Sequence, residues 1–291
     1  MTRFFFVIGC FVATVTLSNS VSDKKEIYEL PKTVRSNYAL VPAGMAYVGS
    51  DSMALTHFYL LKTEVDNLSY REFLSDLKKS GNQVDFSVAN VDSAKWKSAF
   101  AYCDPYVNYY FSHPAYERYP VVNVSYEGAQ LYCKWLAEKF NLLYSHEFTY
   151  EVRLPSRVEW LYAAESGMRK TPYTWGGPYL RNSRGCELCN FRWVGDERIT
   201  DDTVTHTFSA VSKGGWLPGV DVTAPVESYY PNELGLYNMN GNVAEMVSEQ
   251  GMAVGGSWHS TGYDVRNESI MNYTQASPLV GFRPLLIVKR K

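Results

Sequence analysis

The chain has 291 residues, of which 46% are hydrophobic and 20% charged, so its composition is that of a globular protein and excludes an intrinsically disordered one. The formal net charge is −2. Nucleic-acid-binding proteins usually carry a basic excess, so no nucleic-acid partner is expected. A chain of this length can bury a large core without metals or disulfides to stabilise it.

The first twenty residues have the pattern of a secretory signal peptide. Arg3 supplies positive charge, residues 4–17 form an apolar run, and Ser18 and Ser20 are small residues at the positions that signal peptidase recognises. The run is too short to span a membrane. Lipoprotein processing is the alternative, because small residues precede Cys10. The sequence predicts an exported protein whose membrane contact is at most peripheral or through a lipid anchor.

The polar residues 21–38 are interpreted as a linker, and residues 39–291 as one folded domain. Residues 39–50 have the pattern of two strands joined by a turn at Gly44. Residues 121–124 also predict a strand. Residues 171–231 are rich in Gly, Asp and aromatics and predict a long loop region, which in compact domains often carries function.

Three helices are predicted from periodicity and capping residues. The first contains Tyr70 to Leu77, and Ser69 with Glu72 has the spacing of a capping box at its start. The second contains Ala129 to Leu136, with Ser125 as its N-cap, and the third starts at Ser156, where Glu159 completes another capping box.

Four cysteines follow the predicted signal, namely Cys103, Cys133, Cys186 and Cys189. Cys186 and Cys189 form a C-x-x-C motif inside the loop region, and a local disulfide is the favoured interpretation in an exported protein. A zinc site, with further ligands from His206, Cys103 or Cys133, and a redox centre are the alternatives. No two histidines have the spacing of a helical metal pair, and phosphate-loop and serine-elbow motifs are missing.

The segment Asn238–Glu245 places several oxygen-bearing side chains in a short turn. Asn and Glu oxygens and main-chain carbonyls are the ligands that Ca²⁺ prefers. Asn-Gly segments are also ordinary turns, so both interpretations stay open at this point.

Short motifs spread over the chain resemble, in the same order, those of the formylglycine-generating-enzyme family, also called the sulfatase-modifying-factor family. They are Val41–Gly44, Val48–Ser50, Glu64–Asn67, Tyr70–Phe73, Pro120–Tyr126, Tyr132–Trp135, Arg153–Ser156, Glu159–Trp160, Tyr162–Ala164, Asn232–Glu245, Gly255–Trp258 and Gly281–Arg283. Each motif alone is common, and their shared order makes the resemblance specific. The resemblance covers the chain from about residue 39 to its end.

The resemblance implies an α+β domain with much irregular structure, related to C-type-lectin-like folds, and structural Ca²⁺. One calcium site would use the Asn238 side chain, the carbonyls of Gly241 and Val243, and Glu245. A second would begin at Asn190 and the carbonyl of Phe191, with Asp221 as a further candidate ligand.

The resemblance also identifies what this chain lacks. Enzymes of the family oxidise a substrate cysteine with two copper-binding cysteines that follow the Gly-Gly-Ser motif. Ser260 and Val265 stand at those two positions. A serine hydroxyl cannot replace a thiolate that binds a soft metal. The sequence therefore favours a non-catalytic branch of the family over an enzyme.

Two other functions stay open. An enzyme with different chemistry in the same cleft would use His259, Ser260 and Asp264, which surround the positions of the missing cysteines. A glycan- or peptide-binding module is suggested by the analogy with lectin-like folds.

A narrower resemblance concerns residues 109–122 and 185–191. They are similar to the gliding-motility and type IX secretion subgroup, the GldJ and GldK proteins. This implies a structural component of a cell-envelope machine that is periplasmic and associated with the outer membrane. Its expected partners are other envelope proteins, in a homo- or hetero-oligomeric ring.

Overall fold

The computed structural model describes residues 27–99, 102–167, 171–192 and 222–291. The predicted signal peptide, Cys10, His206 and Asp221 lie outside these residues. Residues 27–38, interpreted above as linker, contain helix α1 (Lys32–Arg35) and the buried side chains of Leu30 and Tyr38. The folded domain therefore starts before residue 39.

Three sheets form the β-structure of the described residues. The first has four antiparallel strands in the order β1 (Tyr38–Val41), β4 (Phe58–Leu61), β10 (Leu285–Arg290) and β5 (Phe148–Arg153). The second is the hairpin of β2 (Gly44–Val48) and β3 (Asp51–Leu55). The third has the order β8 (Ile270–Asn272), β7 (Met252–Val254), β6 (Ala244–Met246) and β9 (Val280–Phe282), and only β6 and β9 pair in parallel.

The longer helices pack around these sheets. They are α2 (Asn67–Lys79), α3 (Gln83–Ala89), α4 (Tyr126–Tyr144) and α5 (Arg157–Ala164), with 3-10 helices at Ser93–Ser98 and Pro114–Tyr116 and a π-helix at Tyr106–Tyr110. Among the described residues, no helix combines the length and apolar character needed to cross a membrane. The described parts of the predicted loop region, 171–192 and 222–231, contain neither helix nor extended strand.

The capping predictions hold for two of the three helices. Ser125 caps α4 by accepting the amide proton of Gly128, and Ser156 and Glu159 form the predicted capping box of α5. The first helix starts three residues earlier than predicted, because the Asp66 side chain accepts from the Ser69 amide at 2.9 Å. Asp66, not Ser69, is therefore the N-cap of α2.

The strand predicted at residues 121–124 is wrong. These residues are buried, but the amides of Val121 and Asn123 bond to separate partners, the carbonyls of Val65 and Ser277. Asn123 also adopts a left-handed conformation with φ of 61°, which interrupts a strand. The apolar pattern correctly indicated burial there, while no neighbouring strand provides a continuous ladder.

The core forms two main apolar clusters. The larger cluster includes Tyr70, Phe73 and Tyr132 of α2 and α4 and Phe282 of β9. The second includes Trp160 of α5, packed with buried residues of the first two sheets. The segment between β9 and β10 joins the third sheet to the first, and its Arg283 is the starting point of the candidate site.

Candidate functional site

Arg283 and Glu245 form an ion pair in the centre of the protein. Their side chains are 0% and 1% exposed, and Arg283 Nη2 lies 2.6 Å from Glu245 Oε1. The remaining guanidinium hydrogens go to main-chain oxygens of Leu61, Lys62 and Tyr237. The pair thus joins β4, the segment before the asparagine-rich turn and β6. Every donor of the arginine is in use.

Glu64 is a second buried carboxyl group beside this pair, and it is 1% exposed. Its Oε1 accepts from Asn242 Nδ2 at 2.8 Å and its Oε2 from Asn238 Nδ2 at 3.2 Å. Burial raises the pKa of Glu64 to about 8, Arg283 lowers it, and Glu245 raises it again. Two buried carboxyl groups therefore lie near one arginine, and Glu245 is the one that is bonded to it.

The asparagine turn, residues 238–242, contacts Glu64 and therefore lies next to these charged groups. Asn238, Gly241 and Asn242 have φ values of 52°, 75° and 62°, the left-handed region that Gly and Asn tolerate best. The Asn238 oxygen Oδ1 is buried and has no hydrogen-bond partner. A buried polar atom without a partner is uncommon and often faces an ion or a water molecule.

The oxygen atoms of this turn are suitable ligands for the calcium ion that the resemblance implies. Asn238 Oδ1 has no hydrogen-bond partner and is free to bind an ion. The carbonyl of Gly241 belongs to the same turn, and that of Val243 lies just before strand β6. Glu245 accepts three donor hydrogens, two from Arg283 and one from Trp160. An ionised carboxylate has about four acceptor positions, so about one is left for a cation. The residues present therefore fit a Ca²⁺ ion.

The second implied pair, Asn190 and Phe191, lies against the first site. The Asn190 carbonyl accepts from the Asn242 amide at 2.8 Å, and its Nδ2 donates to the Val222 carbonyl at 2.7 Å. Phe191 packs in an apolar cluster with Val265. Asp221, the further candidate ligand, lies outside the described residues, so this second site stays a prediction.

The serine loop, residues 257–265, packs on the asparagine turn. The Trp258 amide donates to the Asn242 carbonyl at 2.8 Å, and Asn240 Nδ2 donates to the Val265 carbonyl at 2.7 Å. Ser260 is 8% exposed, and its Oγ accepts from the Ser257 amide at 3.0 Å. Val265 is fully buried. Position 260 is thus filled by a bonded hydroxyl and position 265 by a core side chain.

The three polar candidates of this loop do not form a catalytic set. His259 Nε2 lies 3.4 Å from Arg192 Nη1, and burial, followed by Arg192, lowers the pKa of the imidazole. Asp264 accepts from Thr261 Oγ1 at 2.7 Å. Ser260 is paired with Ser257 instead of His259. A nucleophile needs its base within hydrogen-bonding reach, and this geometry does not provide one.

The sulfatase-modifying factor enzyme 1-like domain family matches residues 23–286, which is most of the chain. The protein belongs to this family. The formylglycine-generating enzyme of Thermomonospora curvata is 33% identical over 49% of this chain and 36% of its own length. The Bos taurus enzyme is 25% identical over 72% of this chain and 56% of its own. The chain thus spans between about a third and somewhat over half of these relatives.

Other relatives and solved structures agree with the assignment. The inactive C-alpha-formylglycine-generating enzyme 2 of Bos taurus is 29% identical over 49% of this chain and 40% of its own length. The crystal structure of CarF superposes with a TM-score of 0.54 at 22% identity, covering 85% of this chain and 97% of that one. PvdO from Pseudomonas aeruginosa gives 0.52 at 18%, covering 86% and 93%. These structures confirm the α+β fold of the family.

All four described cysteines of this family member are free thiols, with Cys186 exposed and the other three buried. Cys189 lies in the apolar cluster of Phe191 and Val265. Within the described residues no group of three or more His, Cys, Asp or Glu side chains has the arrangement of a metal site. The local disulfide predicted between Cys186 and Cys189 is not formed in this structure.

Sequence reasoning missed the roles of Glu64, Arg283 and Trp160. Each belongs to a motif that resembles the family, yet the motif alone does not say what the side chain contacts. One signal was available: Glu64 and Arg283 are charged residues close to the apolar runs Phe58–Leu61 and Leu285–Val288. A charged residue beside two buried strands is expected to be paired.

Proposed function

We propose that this protein is a non-catalytic member of the sulfatase-modifying-factor family that acts as a structural or interaction component of the cell envelope. The observation that carries the proposal is the serine loop, where Ser260 and Val265 replace the copper-binding cysteines. Ser260 is bonded to Ser257, and Val265 is part of an apolar cluster. The similarity to inactive relatives supports the same branch.

The catalytic part of the proposal is tested with a cysteine-containing sulfatase peptide, Cu⁺ and oxygen. We expect no conversion of the peptide cysteine by the wild-type protein, because no thiolate pair holds the metal. The enzyme of Thermomonospora curvata serves as positive control. The doubly substituted variant Ser260→Cys, Val265→Cys should gain tight Cu⁺ binding, measured by competition with a chromogenic chelator. Turnover by the wild-type protein would refute the proposal.

The envelope role rests on the predicted signal sequence and on the resemblance of residues 109–122 and 185–191 to gliding-motility and type IX secretion proteins. We expect the tagged full chain, purified from native cell envelopes, to carry other envelope proteins in stoichiometric amounts, in a homo- or hetero-oligomeric ring. The tag alone, expressed with the same signal, is the control. Recovery of a monomer without companions, or of cytoplasmic protein only, would contradict this role and the periplasmic location.

Structural calcium is the second part of the proposal. Asn238, Gly241, Val243 and Glu245 would hold the ion, which would add positive charge beside the two buried carboxyl groups near Arg283. The bound ion would fix the asparagine turn and, through it, the serine loop. The observation that supports this is the buried Asn238 Oδ1, which has no hydrogen-bond partner.

The calcium site is tested with Asn238→Gly. Gly tolerates the left-handed φ of 52°, so the variant removes the ligand oxygen without backbone strain. At a Ca²⁺ concentration of about 100 Kd we expect the wild-type Tm to rise by roughly 5–10 °C, and the Tm of the variant to be insensitive. Glu245→Ala is less informative, because it also leaves Arg283 without its counter-ion.

Asn123→Gly is the matched control for this experiment. Asn123 is buried, has φ of 61° and has no hydrogen-bond partner for its side-chain atoms, but it lies outside the asparagine turn. Its Tm should still rise with Ca²⁺. An Asn238→Gly protein that responds to Ca²⁺ like the wild type would show that the ion binds elsewhere.

A further inference from the structure

The orientation of the Asn238 amide decides whether the asparagine turn can bind a cation. An amide group has similar shape on its oxygen and nitrogen sides, so its hydrogen-bond partners determine which side faces where. Asn238 Nδ2 donates to Glu64 Oε2 at 3.2 Å and to the Val226 carbonyl at 3.1 Å. With the nitrogen held by two acceptors, the oxygen is the atom left without a partner in the interior.

The same carboxylate also holds the other end of the turn. Glu64 Oε1 accepts from Asn242 Nδ2 at 2.8 Å, and Asn242 Oδ1 in turn accepts from the Ala224 amide at 2.7 Å. One acidic side chain thus orients both left-handed asparagines, at the two ends of the turn that contains Gly241. The carbonyl of Gly241 is a proposed ligand of the ion, so its direction depends on these two anchors.

We infer that Glu64 is a positioning residue of the proposed calcium site, which orients Asn238 so that its oxygen faces the ion. The inference rests on the proposed site. Each of the two carboxyl oxygens of Glu64 receives one asparagine nitrogen. A glutamine at this position would direct an NH₂ group at one of them. Turning the Asn238 amide over relieves this conflict with the glutamine and loses the hydrogen bond to the Val226 carbonyl, and the amide nitrogen then faces the ion, which prefers oxygen.

Glu64→Gln is the direct test, with Ca²⁺ titrated calorimetrically into the full chain after removal of metals. Loss of a residue that orients a ligand typically weakens metal binding by about tenfold to hundredfold. We expect a loss of this size, with a Tm in EDTA within about 4 °C of wild type, since the side-chain volume is unchanged. Glu159→Gln is the control: it changes the capping box of α5 and should keep the wild-type calcium affinity.

A rescue variant separates orientation from a general structural effect. In Glu64→Gln combined with Asn238→Asp, the glutamine nitrogen donates to one Asp oxygen and the other oxygen faces the ion. The net charge equals that of the wild type, and Ca²⁺ affinity should recover to within about tenfold of the wild-type value. If Glu64→Gln alone does not fold, the Ca²⁺ affinity of the double variant still tests the positioning role of Glu64.

The outcomes distinguish the two levels of the proposal. Unchanged Ca²⁺ affinity in Glu64→Gln, or an equal loss in Glu159→Gln, overturns the positioning role while the calcium site stands. Failure of the double variant to recover affinity also overturns it. If the wild-type protein takes up no Ca²⁺, the proposed site itself is wrong and the positioning role with it.

Discussion

Replacement of Arg283 by methionine is expected to destabilise the protein by about 3–5 kcal/mol, because it leaves the buried Glu245 carboxylate without its counter-ion. The same change deprives the carbonyls of Leu61, Lys62 and Tyr237 of their donors. Urea unfolding followed by tryptophan fluorescence gives the free energy. If the variant does not fold, the loss is at the upper end of this range or beyond it.

Arg35→Met is the control for the loss of a surface arginine. Arg35 pairs with Glu29, but the two side chains are 55% and 68% exposed, so the substitution should change the free energy of unfolding by less than about 1 kcal/mol. The double variant Arg283→Met, Glu245→Gln should lose less than Arg283→Met alone, because no unpaired charge is left in the interior. Equal losses in both variants would show that the charge of Glu245 is unimportant.

Gly241→Ala is expected to destabilise the protein by more than about 3 kcal/mol and to abolish Ca²⁺ binding. Gly241 has φ of 75°, and a Cβ atom there would overlap the carbonyl oxygen of Asn190. That carbonyl accepts from the Asn242 amide, so the turn and the 190–191 segment would have to separate. The midpoint of urea unfolding measures the loss.

Gly49→Ala separates backbone strain from overlap. Gly49 also has a positive φ, of 61°, but a Cβ atom there would have no neighbour within 4 Å. Its cost should be limited to the strain of a left-handed alanine, about 1–2 kcal/mol, and its calcium response should be normal. A Gly241→Ala protein as stable as Gly49→Ala would mean that the two segments are not tightly packed.

These two effects are large for one reason. The asparagine turn, the Arg283–Glu245 pair and the serine loop share hydrogen bonds in a space closed to water. Breaking one contact therefore leaves its partners unsatisfied, and such partners cost more than the bond itself contributes. On the surface, water replaces a lost partner, and the same substitutions have small effects.

Local sequence determined much of the fold. The caps of α4 and α5 form between residues three positions apart, so the serines and Glu159 that make them could be identified from sequence. The predicted N-cap of α2 was wrong, because Ser69 and Asp66 are both residue types that can cap a helix. Asp66 caps α2 in the structure, and it also forms an ion pair with Arg118. The strand predicted at 121–124 failed because a strand needs a partner, which local sequence does not supply.

The sequence by itself indicated the family and placed Ser260 and Val265 after the Gly-Gly-Ser motif, since ordered motifs and single positions are readable without coordinates. Only the tertiary structure decided what surrounds the asparagine turn. Asn242 and Glu64 are 178 positions apart in the chain and 2.8 Å apart in the fold. Their contact depends on the packing of the third sheet against the first. The direction of an amide or carboxyl group is set by such distant partners, and no local pattern encodes it.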